Sequence, residues 1–208
     1  MELKDQITGL EKTIAKLRLA LEGTIRTLTI TSEAKDPYTA GHQRRVADLA
    51  RAIGQEMGLP ENVVDGIRMA GLIHDIGKIR VPGEILGKPS KLNDLEFQLV
   101  KTHPEVGYAL LKDVEFPWPV ADIVLQHHER INGSGYPKKL KGPEIRIEAK
   151  IIAVADVVEA VSSARPYRQE LGLETALEQI SKNRGILYDE KAADACLRLF
   201  WEKGFKFK

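Results

Sequence analysis

One cysteine, Cys196, is all the thiol chemistry available to this 208-residue chain. No internal disulfide can form, which fits a reducing compartment and a cytoplasmic location. Cys196 lies in the apolar-periodic stretch 192–200, with no catalytic signature around it, and is expected in the core. No apolar run approaches the roughly 18 residues that cross a bilayer. The first residues are amphipathic and mixed in charge, unlike a secretory leader. Strong charge of one sign is also missing: 31 Lys and Arg face 30 Asp and Glu, a net charge of +1. A chain so balanced lacks the positive field that coats nucleic acid, yet a few local cations can still hold a small anion. No Ser–His or Cys–His arrangement points to a protein nucleophile, and no internal repeat or low-complexity segment is visible. What is present is apolar: 43% of residues, enough for one domain that buries roughly 70% of its unfolded surface.

Periodicity supplies the elements. Ile7, Ile14, Leu21 and Leu28 recur every seven residues, and Leu3, Leu10, Leu17 and Thr24 form a second seam. Ile at one seam and Leu at the other favours parallel two-stranded pairing, so residues 1–28 are expected to form a coiled-coil-like signalling helix that dimerises the chain downstream of a sensor domain. The alternative is an amphipathic helix lying on its own domain, residues 29–208. Gly23 weakens the helix locally. Residues 42–57 are helix-periodic and stop before Gly58-Leu59-Pro60, and a second helix runs from Pro60 to His74. Gly77, Pro82 and Gly83 predict a loop. Asn93 is placed to cap a helix over 94–102, Pro104 to start another, and Pro119 to open one that reaches His127-His128. Residues 130–143 hold three glycines and two prolines and predict a loop. The apolar run 150–162 has the composition of a buried strand, but its length, its lack of Gly and Pro, and the absence of a partner strand favour a buried helix. Two further helices are expected over 173–184 and 189–202. The fold class is all-α.

The chain has five histidines, His42, His74, His103, His127 and His128. His74-Asp75 follows an apolar helix end. Asp156 sits among Val154, Ala155, Val157 and Val158, where a carboxylate is costly unless paired or bound to a metal. Taken singly, each of these residues has an ordinary structural reading. Together, neutral imidazoles and carboxylates make a set suited to iron, manganese or zinc, and a carboxylate beside a histidine can bridge two ions about 3.5–4 Å apart.

At these residues a resemblance enters. His74-Asp75 is the pair that names the HD superfamily of metal phosphohydrolases. The segment 127–137, His-His-Glu-Arg-Ile-Asn-Gly-Ser-Gly-Tyr-Pro, resembles the long signature of its HD-GYP branch. Further matches are Asp36 to His42, His74 to Lys78, His103-Pro104-Glu105, and Val154-Ala155-Asp156 followed by Arg165-Pro166-Tyr167-Arg168. The resemblance covers about residues 28–205. It implies an HD-type helical bundle in which His42, His74, Asp75 and Asp156 hold one ion and Asp75, His103, His127 and His128 the other, Asp75 bridging. It also implies hydrolysis of cyclic di-GMP to the linear dinucleotide, and in some members to GMP. Asn132, Glu159 and Ala164 depart from common family residues. Asn132 preserves the turn chemistry, and none of the three is a proposed ligand.

Lys78, one turn beyond Asp75, is either a cation for the scissile phosphate or a solvated loop lysine. Arg165 and Arg168 either meet phosphate or guanine or serve as helix-end charges. Tyr136 either shapes a guanine pocket or anchors its loop. The implied reaction deprotonates a water between two cations and attacks phosphorus in line, with Asp75 and Lys78 as the catalytic residues. The family members that hold three ions carry a glutamate four residues before the first histidine ligand. Here that position is Tyr38, a poor ligand for a hard ion, so two divalent ions are expected, iron ahead of manganese. Two rival readings stay open: a receptor that binds a cyclic dinucleotide without turnover, and a phosphohydrolase for another nucleotide.

Overall fold

The computed structural model describes residues 2–35, 40–163 and 172–207, and every regular element in them is helical. The α-helices are α1 (Glu2–Glu33), α2 (His42–Glu56), α3 (Glu61–Ile73), α4 (Gly83–Leu86), α5 (Asp94–Val100), α6 (His103–Leu111), α7 (Val120–Gln126), α8 (Ile147–Ser162), α9 (Gly172–Lys182) and α10 (Glu190–Trp201). No described helix is long and apolar enough to cross a membrane. Asp36, Tyr38, Arg165 and Arg168, each weighed above, lie outside the described residues.

The bundle is organised around α8. Ile151, Ile152, Val154, Ala155 and Val158 are fully buried, because α2, α3, α7, α9 and α10 all pack on this helix. A helix that is apolar on nearly every side is a core helix, which is why the strand-like composition of 150–162 forms no strand. Val46, Leu49, Ala50 and Ile53 of α2 and Val64, Ile67, Ala70 and Ile73 of α3 complete the centre. Each of the valines, leucines and isoleucines contributes about 1.5–3 kcal/mol over its exposed state. Cys196 is fully buried among them. Trp118 packs across Gly66 and donates its indole N–H to Asn62.

Local signals set most boundaries. Asn93 accepts from the Glu96 amide at 2.9 Å while the Glu96 carboxylate accepts from the Asn93 amide at 2.8 Å, a reciprocal cap that fixes the start of α5. Asp189 caps α10 through the amides of Lys191 and Ala192. The expected loop after Asp75 is more ordered than its composition suggests: Ile76–Arg80 forms a 3₁₀ turn and α4 adds one helical turn. Packing against α6 imposes that turn.

α1 divides its contacts along its length. Ile25, Thr29 and Ser32 are buried, and Thr29 Oγ1 donates to the Leu72 carbonyl at 2.7 Å. Towards the N-terminus, Ile7, Leu10, Ile14 and Leu17 are 49%, 64%, 50% and 65% exposed. The helix runs without a break through residue 28.

Candidate metal centre

The side chains singled out in the sequence come from separate segments. His42 is the first residue of α2, and His74 and Asp75 leave the end of α3. His103 heads α6, His127 and His128 follow α7, and Asp156 projects from the middle of α8. The fold gathers them into two groups. Asp75, His103, His127 and His128 form one, and His42, His74 and Asp156 the other, with the candidate ligand atoms of each lying within 4.8 Å of one another. Asp75 reaches both: Oδ1 lies 3.2 Å from His103 Nε2, while Oδ2 lies 3.5 Å from His74 Nε2 and 3.8 Å from His42 Nε2.

Helix ends orient the imidazoles. The last carbonyls of a helix have no partner within it. Three histidines use them: Nδ1 of His74 meets the Gly71 carbonyl at 2.7 Å, Nδ1 of His103 the Val100 carbonyl at 2.7 Å, and Nδ1 of His127 the Val124 carbonyl at 2.6 Å. A carbonyl only accepts, so each Nδ1 carries the proton and each Nε2 presents a lone pair. The lone pairs have nowhere ordinary to go. His74 Nε2 is buried without a hydrogen-bond partner, and His103 Nε2 faces His127 Nε2 at 3.2 Å. Two lone pairs at that distance repel unless a cation lies between or beside them. Outward-tied Nδ1 atoms around converging Nε2 atoms are the arrangement of metal-binding histidines, so these residues fit a divalent ion.

His42 differs in its outer partner, since its Nδ1 bonds the buried Glu159 carboxylate. Glu159 is held in turn by Arg45 Nε at 2.7 Å and Ser163 Oγ at 2.8 Å. On the inner side, His42 Nε2 lies 3.3 Å from Asp156 Oδ1. Burial pushes the His42 pKa down, but the carboxylates of Asp156 and Glu159 outweigh it and raise the pKa to about 9. At His103 burial outweighs the opposing Asp75 carboxylate and lowers the pKa to about 4, and it drives His127 and His128 in the same direction. Burial also disfavours the Asp75 carboxylate, yet Lys78 Nζ at 2.6 Å and the surrounding imidazoles hold its pKa well below the usual range.

The loop 130–141 closes one side. Tyr136 stacks on His128 with ring centroids 4.7 Å apart, and Lys101 Nζ lies 5.3 Å from the Tyr136 ring. The buried Glu129 carboxylate accepts from the amides of Lys138 at 2.7 Å and Leu140 at 3.0 Å. Asn132 Oδ1 accepts from the Ser134 amide at 3.0 Å, the turn expected of that residue. Gly135 is required by close approach, because a methyl there would lie 2.6 Å from the Glu129 carbonyl carbon. Sequence reasoning gave Glu159 and Glu129 no specific role. The available signal was their burial cost: both stand in or beside apolar helix segments, where a carboxylate needs partners.

Comparison with known proteins agrees with this geometry. The family model described as HD domain matches residues 30–192. The cyclic di-GMP phosphodiesterase response regulator RpfG of Xanthomonas campestris is 41% identical over 177 residues, 84% of this chain and 47% of that protein. A cyclic di-GMP phosphodiesterase of Thermotoga maritima is 39% identical over 203 residues, 95% of this chain and 55% of that protein. The chain thus spans about half the length of these curated relatives. Among solved structures, an HDG"Y"P protein from Bdellovibrio bacteriovorus superposes with a TM-score of 0.65 at 20% identity, covering 76% of this chain and 51% of that one, which supports the fold. With the family match running from the end of α1 into α10, the chain belongs to the HD domain family.

Proposed function

We propose that residues 29–208 are a metal-dependent phosphodiesterase that opens a cyclic dinucleotide, cyclic di-GMP first among them. The observation that carries this reading is Asp75, whose two carboxylate oxygens face two separate groups of inward-pointing imidazole nitrogens. One ion is assigned to His42, His74, Asp75 and Asp156, the other to Asp75, His103, His127 and His128. Iron is preferred, with manganese as the alternative, because imidazoles soften the donor set. When bound, two such ions supply positive charge to phosphate oxygens and bring the pKa of water towards neutrality.

The protein's own groups do the rest. Outward hydrogen bonds on Nδ1 hold the four imidazoles of His42, His74, His103 and His127 in fixed orientations, so little rearrangement accompanies reaction. Lys78 Nζ, paired with Asp75, is within reach of a phosphate oxygen beside that carboxylate and takes up its developing charge. Tyr136, stacked on His128, offers an apolar face to a base. Arg165 and Arg168 are assigned to the remaining phosphate or to guanine. The relatives named as cyclic di-GMP phosphodiesterases support this substrate class. Residues 1–28 are assigned to a signalling helix whose exposed Ile7, Leu10, Ile14 and Leu17 pair with a second copy, downstream of a sensor domain.

Asp75→Ala and Lys78→Ala test the chemistry. Asp75→Ala is expected to lose metal and turnover of cyclic di-GMP together while staying helical. Lys78→Ala is expected to keep the metal and lose rate. Wild-type turnover by Asp75→Ala, with Mn²⁺ or Fe²⁺ supplied, would show the centre to be wrongly assigned. Metal-loaded wild type that binds cyclic di-GMP without opening it would instead make the domain a receptor. Light scattering that finds a monomer at tens of micromolar would remove the helix pairing.

A further inference from the structure

The C-terminal end of α1 and the residues just after it touch both segments that carry His42, His74 and Asp75. Thr29 Oγ1 donates to the Leu72 carbonyl at 2.7 Å, Ser32 Oγ to the Asp75 carbonyl at 3.5 Å, and Lys35 Nζ to the Ile79 carbonyl at 2.7 Å. These bonds grip the backbone of 72–79 on either side of His74, Asp75 and Lys78. Between Ser32 and Lys35 stands Glu33, which turns the other way. Its Oε2 accepts from the Gly41 amide at 3.1 Å and its Oε1 from the Gln43 amide at 3.2 Å. Those amides flank His42 at the head of α2, where no side chain of α2 itself caps the helix. Amides in the first turn of a helix have no partner within it, and a carboxylate there also meets the positive end of the helix dipole. Glu33 therefore supplies a cap from another helix, and it joins the backbone on both sides of His42 to the helix that grips Asp75.

We propose that Glu33 is a positioning residue: by capping α2 across the gap from α1, it sets where His42 stands relative to His74 and Asp75. The proposal rests on the metal reading above and goes beyond it, because it makes the two groups unequal. The His42–His74–Asp156 group depends on the seat of α1. His103 heads α6, and His127 and His128 follow α7; among the described residues Glu33 makes no bond to either helix. Loss of the Glu33 cap is thereby felt first at the ion assigned to His42, because Glu33 bonds only the backbone beside His42. Partners that orient a metal-binding side chain typically govern metal affinity by about 10–100-fold.

The test uses the full chain, stripped of metal and titrated with Mn²⁺ by calorimetry, so that the readout is binding. Wild type is expected to take up two ions per chain. Glu33→Ala should weaken one of them by about 10–100-fold and leave the other at its wild-type affinity. Glu33→Gln keeps one carbonyl acceptor and should fall between the two. Glu61→Gln removes an exposed first-turn carboxylate from α3 and is expected to bind as wild type. Two wild-type affinities in Glu33→Ala would overturn the proposal. Equal weakening of both ions alongside a lowered unfolding temperature would also overturn it, since Glu33 would then serve general stability alone. Wild type that takes up no Mn²⁺ would overturn the metal reading and this inference with it, and is distinguishable because the fault appears before any substitution is made.

Discussion

Alanine at position 77 should disturb both the fold and the proposed centre, and the size of the effect follows from backbone contact. A methyl on Gly77 would lie 2.7 Å from the Gly107 amide nitrogen and 2.8 Å from the His103 carbonyl carbon, and closer still to the His103 carbonyl oxygen. Carbon and oxygen that are not bonded rarely approach below about 3.3 Å, so the 3₁₀ turn and the head of α6 must part by roughly 1 Å. No atom met is the tip of a flexible side chain, so the strain cannot be relieved by a rotamer change. Overpacking costs about 1–3 kcal/mol, and a rigid backbone partner places this case near the top of that range. For a domain of this size each kcal/mol lowers Tm by about 2–4 °C, so a loss of roughly 6–12 °C is expected. His103 rides on the displaced helix and Asp75 precedes the turn. Mn²⁺ affinity should fall as well, and a displacement of about 1 Å can cost some 10²-fold in rate. Circular dichroism melts and calorimetric Mn²⁺ titration measure the two effects. Gly9→Ala, where an added methyl meets nothing within 4 Å, is the control and should be neutral or slightly stabilising. A Gly77→Ala protein that melts and binds Mn²⁺ as wild type does would refute the packing argument.

Other consequences follow from the titrating groups and the core. His42, raised to about 9, carries a proton at neutral pH without metal and must release it to bind an ion. Calorimetry in buffers of different ionisation enthalpy should show proton release below about pH 9, and buffer-independent heats at pH 7 would contradict this. Without metal, His103 is lowered to about 4, with His127 and His128 shifted the same way. The unfolded chain then binds more protons below its ordinary pKa of about 6.5, and stability should fall from there towards pH 4. His42 contributes in the opposite sense: its share is complete below about 6.5 and is lost as pH rises to about 9. Denaturant midpoints of metal-free protein should therefore peak near neutrality, and a flat profile from pH 5 to 9 would count against these environments. Cys196, fully buried and pushed up to about 12, should resist iodoacetamide until the chain unfolds. Rapid labelling of native protein would show that α10 opens locally.

The sequence by itself determined the helical class, most helix limits and the candidate donor residues, because each rests on information within a few positions of the chain. Apolar spacing marks the inward face of α2, α3 and α10, Asn93 and Asp189 carry their own caps, and Pro119 opens α7. The donor residues were legible as chemistry out of place, a carboxylate amid valines and paired imidazoles at a helix end. Tertiary structure alone decided what each of them meets. Glu159 lies 117 residues from His42 and Gly77 packs on α6, while one end of α1 is docked and the other bare. Periodicity tells which face of a helix is buried but not which helix covers it. Those contacts arise from packing α8 against five neighbours at once, and that packing turned scattered histidines into two groups sharing Asp75.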